Sequence, residues 1–257
     1  MKFIENIGKV LIILFSNLGK FILFIIYFFK YLFNPKFYFK NNIIYFINIF
    51  ISSIPIIALT GIFSGMVLAL QSYTGFSRFS AESAIPNVVV LSITRELAPV
   101  LAGLMVAGRA GAAIAAEIGT MKVTEQIDAL RTLSTNPFSY LVTPRVIAGI
   151  ISLPFLVLIG DIIGVLGGYL ICVNLLNFNP SVYLQNTYNF VEFIDIFSGL
   201  VKAAVFGFII TFIGCYFGFN TKGGAQGVGQ STTYSVVSSS ILILLMNYII
   251  TSLFFKL

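Results

Sequence analysis

Four ionisable residues stand in a stretch that is otherwise mostly Ala, Gly, Leu, Val and Met: Arg95, Glu96, Arg109 and Glu117, all within residues 94–119. The stretch is long enough to cross a bilayer. A charge near the centre of a spanning helix costs roughly 2.5–3.5 kcal/mol on insertion scales, so such residues are usually kept for a pathway or a partner. On an ideal helix the four fall within an arc of roughly 140°. One charged face on an otherwise apolar helix reads as a wall lining an interior cavity.

The chain that must position these residues is apolar throughout. Of its 257 residues, 58% are hydrophobic and 9% charged, with a mean hydropathy of +0.99. Soluble domains carry about 25% charged residues, so this is an all-α, polytopic integral membrane protein. The net charge of +6 does not point to nucleic acid, because the basic residues cluster near the N-terminus and in short loops, where the positive-inside rule places them. There is no histidine. That excludes a His-based triad, a His metal site and a His-ligated haem. Cys172 and Cys215 lie in or beside apolar segments and read as buried thiols without metal-ligand spacing.

Residues 1–20 are amphipathic. Lys2, Glu5, Asn6, Lys9, Ser16, Asn17 and Lys20 share one face, and Ile4, Ile7, Leu11, Leu14 and Leu18 fill the rest. That pattern fits a helix lying in the membrane interface. Residues 21–33 are more apolar but too short to span. The segment therefore reads as one or two interfacial helices, with a sixth span over residues 10–33 as the alternative. Lysines interrupt it, so it does not read as a cleavable signal peptide. Asn34-Pro35 breaks the chain. Five spans follow, over about residues 43–72, 84–119, 144–172, 196–219 and 233–254, with polar or Gly-rich loops between them. Pro99 sits inside the second span and leaves the carbonyl of Arg95 without its helical donor, which predicts either a loosened backbone beside Arg95 and Glu96 or a plain packing kink. Thr143-Pro144 reads as the cap and first turn of the third span. No internal repeat and no appended soluble domain is visible.

With the N-terminus inside, cytoplasmic segments hold Lys2, Lys9, Lys20, Lys30, Lys36, Lys40, Lys122, Arg131, Arg145 and Lys222, whereas outer segments hold Arg78 and Lys256, with Lys202 just inside the fourth span. The bias sets the N-terminus in the cytoplasm and the C-terminus on the far side. Between the second and third spans, residues 120–140 form the longest polar connection. Thr124 is a candidate cap, Glu125 and Asp128 favour a helix first turn, Asp128 and Arg131 are an i,i+3 pair, and Ile127, Leu130 and Leu133 form an apolar strip. This short helix either rests on lipid or inserts into a partner and transmits its motion. The Gly-rich residues 223–230 (GGAQGVGQ) lack the lysine of a Walker loop and follow a membrane span, so the chain does not read as an ATPase or any other enzyme.

The run RELAPVLAGLMVAGRAGAAIAAEIGTMKVTEQIDAL, the following NPFSYLVTPRVIAGIISLP, and TKGGAQGVGQSTTYSVV at residues 221–237 resemble the signature of the MlaE/YrbE family, the permease subunits of ABC transporters that work with MCE proteins on phospholipids. The resemblance covers about residues 40–256. It divides the chain into N-terminal interfacial helices (1–40) and a permease domain (41–257). It implies a bacterial inner-membrane homodimer with an outward cavity between the copies and a separate cytoplasmic ABC ATPase that uses ATP. That ATPase would dock on the helix carrying Glu125, Gln126, Asp128 and Arg131. An MCE-domain protein on the outer side, a small STAS-type accessory subunit and phospholipid complete the implied partners. No cofactor or metal is implied for this chain. The family's cavity positions fall on Arg95, Glu96, Leu68 and Leu97.

Physical chemistry is compatible with that assignment. A guanidinium grips a phosphate in a fork, and Glu96 would hold or neutralise Arg95. Alternatively the two pair only to fold the dimer. Arg109 and Glu117 read either as structural charges among small residues suited to close helix contact or as part of the pathway. A gradient-driven secondary transporter and a non-transporting scaffold remain as rival functions, to be separated by ATP dependence and by lipid traffic after cavity mutation.

Overall fold

The computed structural model describes residues 2–32 and 39–255, with the side chains of residues 1–11 and a few neighbours excluded. The Asn34-Pro35 break, Lys36 and Lys256 lie outside the described residues, as do most of the side chains behind the amphipathic face of residues 1–20. Every described element is a helix: α1 (Lys2–Leu32), α2 (Phe39–Phe50), α3 (Ile54–Phe76), α4 (Ile85–Ser92), α5 (Ala98–Val106), α6 (Ala112–Val123), α7 (Gln126–Thr132), α8 (Thr143–Asn174), α9 (Pro180–Phe190), α10 (Phe193–Phe219) and α11 (Gly224–Phe254).

Five helical runs are long and apolar enough to cross a membrane: Asn41–Phe79, Glu82–Val123, Phe138–Asn174, Phe193–Phe219 and Gly224–Phe254. α8 is the central staff, packed against α3, α10 and α2. α1 is one continuous helix rather than two. Its Phe24 and Phe28 are buried against an aromatic cluster on α10, with Phe24 5.2 Å and Phe28 5.5 Å from the ring of Phe212.

Several boundaries move from their expected places, each for a physical reason. The third span starts at Phe138, with Asn136 Oδ1 accepting the Phe138 N–H at 2.8 Å. Pro144 removes the donor for the Tyr140 carbonyl, and the helix absorbs the defect by widening into a π turn over Phe138–Val142 instead of starting anew. Thr124 does not cap α7. Its hydroxyl donates to the Thr120 carbonyl (2.8 Å), and Glu125 makes the turn in a left-handed conformation at φ 60°. Part of the loop after α8 is helical, because Asn179 caps α9 through its side chain and Pro180 occupies the first turn. The Gly-rich segment is helical from Gly224 onward. Gly223, at φ 87°, makes the turn, and Gly227 packs where a Cβ would collide with the Lys222 carbonyl.

Candidate functional site

Span two carries its charges at two levels. Arg95 and Glu96 lie in a π turn over Ile93–Leu97, and Arg109 in a second over Ala107–Gly111. Extra-wide turns of this kind are frequent at functional sites. The two arginines are about 14 residues apart, which is roughly 21 Å along a helix.

At the first level, Arg95 and Glu96 do not pair with each other. Both are claimed by α10. Arg95 Nε and Nη2 reach one oxygen of Asp195 at 2.7 and 2.6 Å, and the guanidinium lies 4.2 Å over the Phe255 ring. Asp195 also accepts the backbone N–H of Glu192 at 3.0 Å, closing the capping box of α10. Lys202, two turns on, has a fully buried side chain. Its ammonium donates to Glu96 Oε1 at 2.8 Å and to the Arg95 carbonyl at 2.6 Å. That carbonyl is the acceptor Pro99 leaves without a donor, so Lys202 replaces the missing bond. Glu96 also accepts from Asn247 Nδ2 (2.8 Å) and from the Thr251 hydroxyl (2.9 Å) of α11. α10 comes this close because of Gly199, where a Cβ would sit 2.5 Å from the Thr94 carbonyl oxygen. The result is two cations and two anions, each partnered, tying spans two, four and five together.

Leu97 faces a narrow cleft of about 10 Å³ shared with Thr60, Gly61 and Ser64 of α3, far too tight for an acyl chain within one copy. Leu68 is half-buried one turn beyond Ser64 and does not line that cleft.

The second level lies toward the other end of span two. Arg109 Nε donates to Ser53 Oγ at 3.0 Å, and Nη2 to the carbonyls of Asn48 (2.9 Å) and Ile49 (3.0 Å). Its acceptors are neutral groups at the end of α2. Glu117 pairs instead with Arg145 of α8, Oε1 to Nη2 at 2.7 Å. Arg145 is fully buried, stacks 4.1 Å from the Tyr45 ring and donates Nη1 to the Leu141 carbonyl at 2.7 Å. Among the small residues of this face, Ala102, Gly103, Ala107, Gly111 and Ala115 are buried, Gly103 and Gly111 against α10 and α11, whereas Gly108 is exposed.

Beyond Val123, α7 turns back on the bundle. Ile127 is fully buried, Leu130 half-buried and Leu133 74% exposed, so the expected apolar strip runs from the core out to the surface. Asp128 takes both Lys122 and Arg131 at 3.1 Å. Glu125 and Gln126 are exposed at its start.

Spacing within span two does not point to Asp195, Lys202, Asn247, Thr251 or Arg145. Asp195 and Lys202 carry a readable signal of their own, being seven residues apart on one helix face, as does the i,i+4 pair Asn247 and Thr251. Arg145 carries none, since it reads as a loop charge beside Pro144. A further carboxylate outside these patterns is Asp161, mid-way along α8, 7% exposed, with Oδ1 buried and without a hydrogen-bond partner among the described residues.

Residues 43–253 match the family model described as Permease MlaE. The chain is 61% identical over 252 residues to a probable ABC transporter permease protein of Rickettsia bellii, covering 98% of this chain and 97% of that one. It is 38% identical over 206 residues (80% and 79%) to the intermembrane phospholipid transport system permease protein MlaE of Haemophilus influenzae. It is 40% identical over 204 residues (79% and 58%) to the chloroplastic protein TRIGALACTOSYLDIACYLGLYCEROL 1 of Arabidopsis thaliana.

Proposed function

From the premise that this chain belongs to the MlaE permease family, we propose that it is the membrane-spanning subunit of an ATP-driven transporter that moves phospholipid between membranes. It works as a homodimer in the bacterial inner membrane, with its N-terminus in the cytoplasm and its C-terminus outside. A separate cytoplasmic ATPase binds and hydrolyses ATP. An MCE-domain protein receives or delivers lipid on the outer side, and a STAS-type subunit is an accessory. No cofactor is held by this chain.

One observation carries the reading. The surface helix α7 is anchored to span two through Lys122–Asp128 and a buried Ile127, while its tip presents Leu133. A push on Glu125, Gln126, Asp128 and Arg131 by the ATPase therefore enters the helical run that carries Arg95 and Glu96. There, Arg95 meets the lipid phosphate with the part of its side chain that remains exposed (32%). Leu68 and Leu97 supply apolar wall for the acyl chains between the two copies, and Glu96 keeps Lys202 and α11 in register.

A scaffold role has one observation in its favour: the fork of Arg95 is already occupied by Asp195. The two readings separate in a single experiment. The chain is purified in mild detergent with its ATPase and MCE partner, and ATP-dependent lipid transfer is followed between vesicles. Arg95→Ala and Glu96→Ala are expected to abolish transfer while the complex still co-purifies. Normal transfer in both variants would remove these residues from the substrate path, and loss of assembly with normal residual transfer would favour the scaffold.

A further inference from the structure

The second charged level is out of balance. A recess of about 140 Å³ opens between α2 and α6, lined by Tyr45, Asn48, Arg109, Ala113, Glu117 and Arg145. It holds two guanidiniums against one carboxylate, an excess of one positive charge. Arg109 has only neutral acceptors. Arg145, with no solvent exposure, has Nε and Nη2 without a hydrogen-bond acceptor. Nη2 is close enough to Glu117 for an ion pair at 2.7 Å but is not aimed along a hydrogen bond. Glu117 itself is 53% exposed, so the negative charge lies at the mouth and the positive charge inside. Buried donors left unmatched in an apolar surround are costly, and nothing in the described residues offers the missing anion.

We infer that this recess is a binding site for a phosphate-bearing anion, gripped by Arg109 with the buried charge of Arg145 behind it. Planar guanidinium forks suit phosphate oxygens better than a point charge does. The volume admits one such group with little room beyond it. The exposed Asn48 and Ala113 leave its mouth open sideways between α2 and α6. The recess lies toward the Val123 end of span two, the end opposite Arg95. A phospholipid of the leaflet on that side and free phosphate share the recognising chemistry, and the site stands whether or not the chain transports lipid.

The test uses the full-length protein in maltoside micelles, which carry no phosphate. It is titrated separately with short-chain phosphatidylglycerol and with inorganic phosphate, and bound copies are counted by native mass spectrometry. Wild-type protein is expected to take up one or both probes. Phosphatidylglycerol alone identifies a lipid head group, and uptake of both identifies a general phosphate site. Arg109→Gln should weaken binding at least tenfold and Arg109→Lys only a few-fold. Ala113→Phe, at an exposed position, fills the recess without touching a charge and should also abolish binding. Val182→Gln, at an exposed position of α9 past the opposite end of α8 from Arg145, should leave binding unchanged. Absence of binding by both probes to the wild type overturns the inference. So does wild-type binding in Ala113→Phe.

Discussion

The two charged levels of span two are made from the same kinds of residue and solve the same problem differently. At the Arg95 level every charge has an opposite charge at 2.6–2.8 Å, and the carboxylate of Glu96 has two further donors from α11. The partners come from α10, the most buried of the five spans, and from α11. At the Arg109 level the charges sum to one positive, and the acceptors of Arg109 are neutral, the Ser53 hydroxyl and two carbonyls of α2. The first level is closed by the protein alone. The second is closed only in part, beside an open recess. A balanced cluster can act as a joint that keeps three spans in register. An unbalanced one asks for a ligand. Finding charge in a membrane span is therefore only half of the argument, and the count of partners supplies the other half.

Breaking the first level should have the largest effect on stability. Lys202→Met removes the partner of Glu96 and the donor that satisfies the carbonyl freed by Pro99. Glu96 is 37% exposed and keeps its α11 donors, which discounts the cost of an orphaned buried charge to about 2–3 kcal/mol. The expected result is a marked loss of thermal stability in detergent, largely recovered in the Lys202→Met, Glu96→Gln pair because the second change removes the orphaned charge. A single variant as stable as wild type would mean that the joint contributes nothing.

Legibility in the sequence depends on whether a signal is local. The five spans are visible because apolar runs of that length with so few charges occur in little besides membrane helices. Arg95, Glu96, Arg109 and Glu117 are visible because a charge in such a run is conspicuous. Their partners Asp195, Lys202 and Arg145 come from other helices. Separations of 100 positions for Arg95 and Asp195, and 106 for Glu96 and Lys202, leave no trace in spacing. The role of Pro99 shows the boundary well. The loosened carbonyl of Arg95 follows from proline chemistry alone, whereas the filling of that gap by Lys202 needs the packing of α10 on span two. Helix starts depart from expectation where a proline or glycine suggests a stop. At Pro144 the helix widens into a π turn and continues, and after Gly223 the glycines are carried inside α11.

Breaking the second level should cost less, because its anion is half in solvent. Glu117→Gln leaves Arg145 without its ion pair but keeps the ring of Tyr45 over the guanidinium and the Leu141 carbonyl as acceptor. The expected loss is about 1–2 kcal/mol, in the range of a buried donor left unmatched, measured by the same unfolding experiment. A loss as large as that of Lys202→Met would show that the two levels are equally closed and would weaken the case for a ligand. Asp161 sharpens the comparison from the other side. It is a buried carboxyl with neither a cation nor a hydrogen bond to Oδ1 among the described residues, so Asp161→Leu, similar in size and apolar, should be neutral or stabilising by about 1 kcal/mol. Destabilisation would reveal a partner supplied by a second copy or another subunit.

The smallest effect on stability is expected at the tip of α7, where the consequence for assembly is the greatest. Leu133 is 74% exposed and makes no contribution to the core, so Leu133→Asp should change unfolding by no more than about 0.5 kcal/mol, as other exposed positions do. Its neighbour Ile127 is fully buried and serves as the contrast, because Ile127→Ala creates a cavity costing about 2–5 kcal/mol. If α7 is the docking handle, Leu133→Asp gives a stable membrane protein that no longer retains the ATPase in a detergent pull-down. Retention equal to wild type would move the docking surface to the rest of that face, onto Glu125, Gln126 and Arg131. The ion pairs of Asp128 with Lys122 and Arg131, exposed and worth at most about 1 kcal/mol, then serve to orient the helix and not to hold the fold together.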